Sequence, residues 1–234
     1  MSRRPLFMPL IILAVCISRS LARDTPSLCI HHSPGTRGFR LIWLCEELGV
    51  PLSVQQVDFS AAYRQSAEWL EMNPVGKVPV MTDGDFKLFE SGAMLQHVLN
   101  RYDVENQLEP SPGTEEHALF LQWCWFAEAT FGRVTGELAS HRRQFETPIE
   151  AVLEEMRQRA RCCVRALDAA LADGRQYLLQ CGFSAADVMM GYTILSFERN
   201  VGEEPLPENA ALYWQRLKAR PAFKAAFDAN LCQS

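Results

Sequence analysis

Two stretches of the sequence set a hydroxyl residue just ahead of a helix, where chemistry with an anion is easiest. The first is Ser33-Pro34-Gly35-Thr36, between the apolar run Leu28-Cys29-Ile30 and a helical pattern that opens near Arg37. Helix starts leave backbone N–H groups unpaired, and their dipoles favour negative charge. A side-chain hydroxyl there can add a hydrogen bond to a bound anion. Ser33 and Thr36 both qualify, and both also suit a purely local role as helix-entry caps. The second is Glu90-Ser91, at another strand-to-helix junction. Ser91 is expected as the N-cap, and a helix end of that kind is already an anion site. Between the two lies Lys77-Val78-Pro79, where a proline opens a strand and so belongs at an edge or bulge. The pair His31-His32 invites a catalytic reading, but one of two neighbours at a strand end faces solvent. No two of the five histidines are four residues apart on a helix. Catalysis by that pair is not expected.

The elements that must hold these residues follow from the hydrophobic pattern. Leu28-Cys29-Ile30 reads as a buried strand, and a helix runs from about Arg37 to Leu48, stopped by Gly49 and Pro51. Gly38 lowers helix propensity inside its first turn. Leu52–Phe59 reads as a second strand and Ser66–Met72 as a short helix. Val78–Met81 and Phe86–Phe89 are two strands joined through Asp83-Gly84, a strong hairpin signal. Ser91 then opens a helix with Leu95, Val98, Leu99 and Tyr102 on one face. The order β-α-β-α-β-β-α demands a parallel first pair and an antiparallel closing hairpin. After a polar, proline-bearing linker at 103–113, everything is helical: Glu115–Thr130, Ile149–Asp173, Val188 to about Arg199, and two short helices flanking Arg220-Pro221. Ser184-Ala185-Ala186-Asp187 is a capping box ahead of a helix apolar nearly all round, which should therefore be buried. Trp123, Trp125, Phe126 and Phe131 could line an apolar pocket, although their spacing suits core packing better.

Composition narrows the partners. The 234 residues are 48% hydrophobic and 22% charged, enough for two small domains. A net charge of −5 argues against nucleic acid or an anionic membrane as main partner. The eight cysteines form no C-x-x-C and no Cys/His cluster of zinc spacing, so neither a metal site nor a dithiol is expected. They read as small core hydrophobes in a reducing compartment. Residues 1–22 carry three arginines, no acid and a 12-residue apolar run, Leu6–Ile17. That run is short of the roughly 20 residues that span a bilayer. The segment suits a secretory signal or an organelle transit peptide.

Taken together, Ser33-Pro-Gly-Thr-Arg37, Asn73-Pro-Val-Gly-Lys-Val-Pro79, Glu90-Ser91 and the buried box Ser184–Asp187 resemble the glutathione S-transferases. The resemblance covers about residues 27–230. It implies an α/β plus all-α protein: a thioredoxin-like glutathione-binding domain at 27–102 and an all-helical domain at 114–234. It also implies that Ser33, four residues before Arg37 as in the serine-type classes, donates to the sulfur of glutathione, with Thr36 as the fallback hydroxyl. A thiolate at such a helix start would form nearer neutral pH than a free thiol does. No tyrosine precedes Leu48, and Cys29 should lie inside the strand. The resemblance further implies a cis Val78–Pro79 bond that turns the Val78 backbone toward the cysteinyl part of glutathione. Lys77 would approach the glycyl carboxylate, Ser91 the γ-glutamyl carboxylate, and Glu90 the ligand's amino group. Lys77 reads equally well as a solvated charge beside a turn.

The implied activity is a glutathione transferase acting on a hydrophobic electrophile, with glutathione as co-substrate, no metal, and a homodimer as the assembly. A glutathione-dependent isomerase or dehalogenase would need the same first domain, and a non-catalytic glutathione carrier could share the whole fold. A thiol–disulfide oxidoreductase is disfavoured, because Ser33-x-x-Thr36 stands where C-x-x-C would and hydroxyls form no disulfide. Location in the cytoplasm follows from the resemblance, whereas residues 1–22 point to secretory or organelle targeting.

Overall fold

The computed structural model describes residues 27–201 and 205–231, so the targeting segment expected at 1–22 lies outside them. Four strands form one mixed sheet in the order β2-β1-β3-β4: β1 Leu28–His32, β2 Ser53–Gln56, β3 Val80–Asp83 and β4 Phe86–Phe89. β1 and β2 are parallel, and β3 runs antiparallel to both β1 and β4. This is the parallel pair and hairpin that the element order requires. Strand β2 is shorter than the strand expected over Leu52–Phe59, and Ser60 caps a turn of helix, α2 Ala61–Arg64, that the sequence reading did not anticipate.

Alternation along β1 buries Leu28, Ile30 and His32 on one face. That face is covered by α1 Phe39–Leu48 and α4 Ser91–Tyr102. The other face carries a smaller cluster, Val57, Trp69 and Val80, under α3 Ala67–Met72. Asp83 fastens α4 to the end of strand β3: its carboxylate accepts from Tyr102 at 3.0 Å and Ser27 at 3.1 Å, with His97 Nε2 at 3.0 Å. These donors and Arg101 hold Asp83 below the usual carboxylate range although burial alone would raise it. The linker is ordered by Asp103, whose two oxygens accept the N–H groups of Gln107 and Leu108, each at 2.8 Å.

The second half is helical: α5 Glu115–Trp125, α6 Arg133–Gln144, α7 Glu150–Ala170, α8 Ala185–Asn200, α9 Glu208–Ala219 and α10 Pro221–Leu231. The helix expected to end at Thr130 does not end there. It passes through a π turn, Phe126–Gly132, and continues as α6. A π turn accommodates one extra residue, and the apolar face continues through Phe131 within it and resumes beyond it with Val134 and Leu138 buried. Helix α8 is buried over nearly its whole length, as its apolarity demands. At its start, Asp187 closes the capping box by accepting the Ser184 N–H at 2.8 Å, and it also accepts from Tyr213 at 2.9 Å and Leu178 N–H at 3.0 Å. Burial nevertheless pushes its carboxyl up to about 6.

The cysteines follow the core expectation only partly. Cys45 and Cys163 are buried, and burial pushes the Cys45 thiol up to about 12. Cys162 and Cys181 are exposed. On α7 the reason is geometric: adjacent residues stand about 100° apart around a helix, so Cys162 and Cys163 cannot both face the core. Among the described residues no helix is long and apolar enough to cross a membrane.

Candidate functional site

Register brings the sequence-predicted residues to one end of the sheet. His31 pairs with Val80, and Val80 with Phe89. Ser33 follows β1, Val78–Pro79 precedes β3 and Glu90–Ser91 follows β4, so all three segments meet at that end. The Val78–Pro79 bond is cis, as the resemblance implies. Pro79 is buried, Val78 half-buried and Lys77 exposed, with the Lys77 carbonyl accepting from Asn73 Nδ2 at 2.7 Å.

Ser33 is buried, and its one hydroxyl proton is engaged: Oγ donates to the Val57 carbonyl at 2.6 Å. The Val57 N–H in turn reaches the His32 carbonyl at 2.9 Å, so the loop after β1 is laced to the chain after β2. Thr36 donates its own hydroxyl to the Ser33 carbonyl at 2.7 Å. To serve a sulfur, Ser33 must turn its hydroxyl away from Val57, because a hydroxyl has a single proton to give. Helix α1 opens at Phe39 rather than Arg37. Gly38 takes the N-cap position without a side-chain cap, which leaves the first-turn N–H groups to the loop. Next to the loop, burial lowers His32 to about 4, keeping the imidazole neutral, and its Nδ1 has no hydrogen-bond partner.

At the second junction the expected N-cap is corrected. Glu90, not Ser91, occupies that position, and its φ of 74° lies in the left-handed region that a glutamate seldom adopts. Ser91 is the first residue of α4 and makes no capping bond, because its Oγ instead accepts from Arg40 Nη1 at 3.0 Å. Glu90 is exposed and Ser91 buried.

Two residues that sequence reasoning missed complete the site. Arg40 on α1 has no exposed surface, and it pairs with Glu128 on the π turn. Glu128 also takes Arg37 Nε at 2.9 Å. Burial would raise the Glu128 carboxyl, but the two guanidinium charges overcome this and hold it below its ordinary value. Arg40 Nη2 further donates to Thr193 Oγ1 of α8 at 3.0 Å. An arginine inside a helix face otherwise made of Phe39, Leu41, Ile42 and Leu44 was the available signal. Its partner sits 88 residues away and could not be read from spacing. Beside this network a cleft of about 750 Å³ opens between α4 and the end of α5 with its π turn, lined in part by Glu90, Gln96, Asn100, Trp125 and Glu128. Of the aromatics considered for a pocket, Phe131 and Trp123 are buried in the core, and Trp125 is exposed on the cleft wall.

Chemically, one end of the sheet offers two helix starts, a cis-proline backbone, an exposed carboxylate and a buried cation behind a serine. That set suits a small peptide with a carboxylate, an ammonium and a backbone to pair. Residues 28–100 match the model of the glutathione S-transferase N-terminal domain. The chain is 27% identical over 218 residues to glutathione S-transferase 2 of Schizosaccharomyces pombe, covering 84% of this chain and 93% of that protein. It is 28% identical over 154 residues to the protein URE2 of Candida glabrata, covering 63% of this chain and 43% of that one. Its fold is similar to that of the glutathione transferase URE2P8 from Phanerochaete chrysosporium, solved with oxidized glutathione: TM-score 0.80 at 23% identity, over 88% of this chain and 95% of that one. Residues 28–100 are thus a glutathione S-transferase N-terminal domain, and over most of its length the chain is similar to glutathione S-transferases in sequence and in fold.

Proposed function

We propose that the chain is a glutathione transferase that binds glutathione along residues 27–102 and activates its thiol for attack on a hydrophobic, electrophilic small molecule. The observation that carries this reading is the meeting of the Ser33 loop, the cis Val78–Pro79 bond and the Glu90–Ser91 junction at one end of the sheet. On this reading the γ-glutamyl carboxylate lies on Ser91 and the α4 N–H groups, with the ammonium near Glu90. The Val78 backbone pairs with the cysteinyl unit, and Lys77 approaches the glycyl carboxylate. The sulfur comes to the loop before α1, where the helix start lowers its pKa and raises the thiolate fraction. The electrophile is held against residues 114–234, and two-site binding supplies proximity. The working assembly is a homodimer.

Titration of the thiol of bound glutathione tests the reading. The expected result is a pKa depressed in the wild type and returned toward the free value in Ser33→Ala. A depressed value that Ser33→Ala leaves unchanged moves the role to Thr36 or a backbone amide. Glutathione bound with an undisturbed thiol refutes the transferase.

One observation favours a second reading, a glutathione-binding protein without turnover: the Ser33 and Thr36 hydroxyls both donate to backbone carbonyls. Retention on immobilised glutathione with no activity toward a generic aryl halide would select it.

A further inference from the structure

We infer that Arg40, held by Glu128, is a positioning residue that makes Ser91 a hydrogen-bond donor to the γ-glutamyl carboxylate of glutathione; this rests on the glutathione reading above. The step is one of hydrogen-bond supply. A guanidinium carries only donors, so in the Arg40–Ser91 contact the serine oxygen must accept. With one lone pair engaged from behind by Arg40, the hydroxyl proton is free to point forward. Forward of it lies the first turn of α4, whose opening hydrogen bond runs from Met94 N–H to the Glu90 carbonyl. The N–H groups of Ser91, Gly92 and Ala93 have no preceding turn to bond. Hydroxyl and amides therefore converge as donors, with a cation one hydroxyl behind them.

The contrast with Ser33 is instructive. There the acceptor is a carbonyl, and the hydroxyl proton is drawn away from any ligand. At Ser91 the neighbour is a donor, and the proton is released toward one.

Arg40 is an expensive way to join two domains mechanically. A wholly buried cation is costly to desolvate, and an apolar pair of the same volume often packs as well or better. Moreover, its Nε has no hydrogen-bond partner, so the group is not saturated by the fold. Glu128 supplies the countercharge from the π turn, and its second bond to Arg37 draws the loop carrying Ser33 to the same carboxylate. The carboxylate recognised is thus one that carries an ammonium on the neighbouring carbon, with Glu90 exposed at the same helix start to receive it.

Calorimetric binding tests this with two ligands, glutathione and its analogue lacking the γ-glutamyl α-carboxylate (4-aminobutyryl-cysteinylglycine). The variants are Ser91→Ala, the paired Arg40→Met/Glu128→Gln, which removes both charges together, their combination, and Arg40→Lys. The paired variant is expected to weaken glutathione roughly tenfold to hundredfold, the range of one hydrogen bond to a charged group. It should leave the analogue unchanged. In the Ser91→Ala background it should add less than about twofold, since both act through one hydroxyl. Arg40→Lys should restore part of the loss, because it returns a donor behind the Ser91 oxygen. Equal losses for the two ligands, or full additivity with Ser91→Ala, would reduce Arg40 to a domain staple and overturn the inference. Thermal melts identify a variant that fails to fold, and Arg40→Lys then carries the same comparison. A wild type that binds neither ligand overturns the glutathione reading itself, and this inference with it.

Discussion

His32 and Gly38 are in direct apposition: a Cβ on Gly38 would stand 2.6 Å from the Cβ of His32 and 2.9 Å from its Nδ1. The glycine that weakens the first turn of α1 on propensity grounds is the residue that lets a buried imidazole lie beneath the loop. Its φ of −59° is ordinary, so space and not backbone conformation is what it provides.

The two effects predict opposite signs for Gly38→Ala. With its helical φ and ψ, Gly38 would on propensity alone gain from alanine, by less than the helix-interior value of about 1 kcal/mol because it stands at the N-cap. Overpacking against His32 should instead destabilise it by about 1–3 kcal/mol. Urea denaturation decides, and a gain in midpoint would show that the imidazole moves aside freely.

His32 also predicts a pH dependence. Its ordinary value of 6.5 is lowered to about 4 by burial. Below pH 6.5 the unfolded chain takes up a proton that the folded chain refuses until about pH 4. The stability this contributes is complete above 6.5 and is lost as pH falls through that window, at roughly 1.4 kcal/mol per pH unit. Replacing the ring by glutamine should flatten this component of the slope between pH 6.5 and 4. Identical slopes in wild type and His32→Gln would place the proton elsewhere.

Ser33→Ala has a structural consequence separate from any effect on a thiol. It deprives the buried Val57 carbonyl of the hydroxyl at 2.6 Å, which should lower stability by about 1–2 kcal/mol with no ligand present. An unchanged melting temperature would mean that water or a backbone group replaces the hydroxyl at once.

Glu90 separates strain from binding. Its positive φ stores roughly 1 kcal/mol or more that a glycine would not. Glu90→Gly should therefore hold or raise the melting temperature, yet weaken glutathione roughly tenfold by removing the carboxylate near the ammonium. Glu90→Ala should lose the same affinity without the relief. Equal affinity in all three proteins would show that the carboxylate does not meet the ligand.

The architecture was legible because each element is signalled locally. Gly49 ends α1 in the left-handed conformation, Asp83-Gly84 marks the hairpin, and Ser184–Asp187 announces α8. Boundaries slipped where tertiary contacts overrule local preference: Arg40 takes the oxygen with which Ser91 was expected to cap α4, and the π turn carries the α5 helix past Thr130. Ser33, Lys77, Val78, Pro79, Glu90 and Ser91 are reached through the family resemblance, and they lie at or beside element ends, where local turn chemistry narrows the choice of residue. Arg40 and Glu128 could not be named in advance, for their meaning lies in a pairing across domains that no periodicity records.

The π turn at Phe126–Gly132 leaves the inter-domain contact hanging on a single register of one long helix. Deleting one residue between Glu128 and Gly132 would remove the extra residue that the wide turn absorbs and let the segment wind as an ordinary α-helix, with α5 and α6 keeping their faces. Leu138 would keep its berth in the core, and only the local bulge that holds the acid against both arginines would be drawn in. A one-codon loss there would loosen the contact between the two halves of the molecule without turning any other helix face.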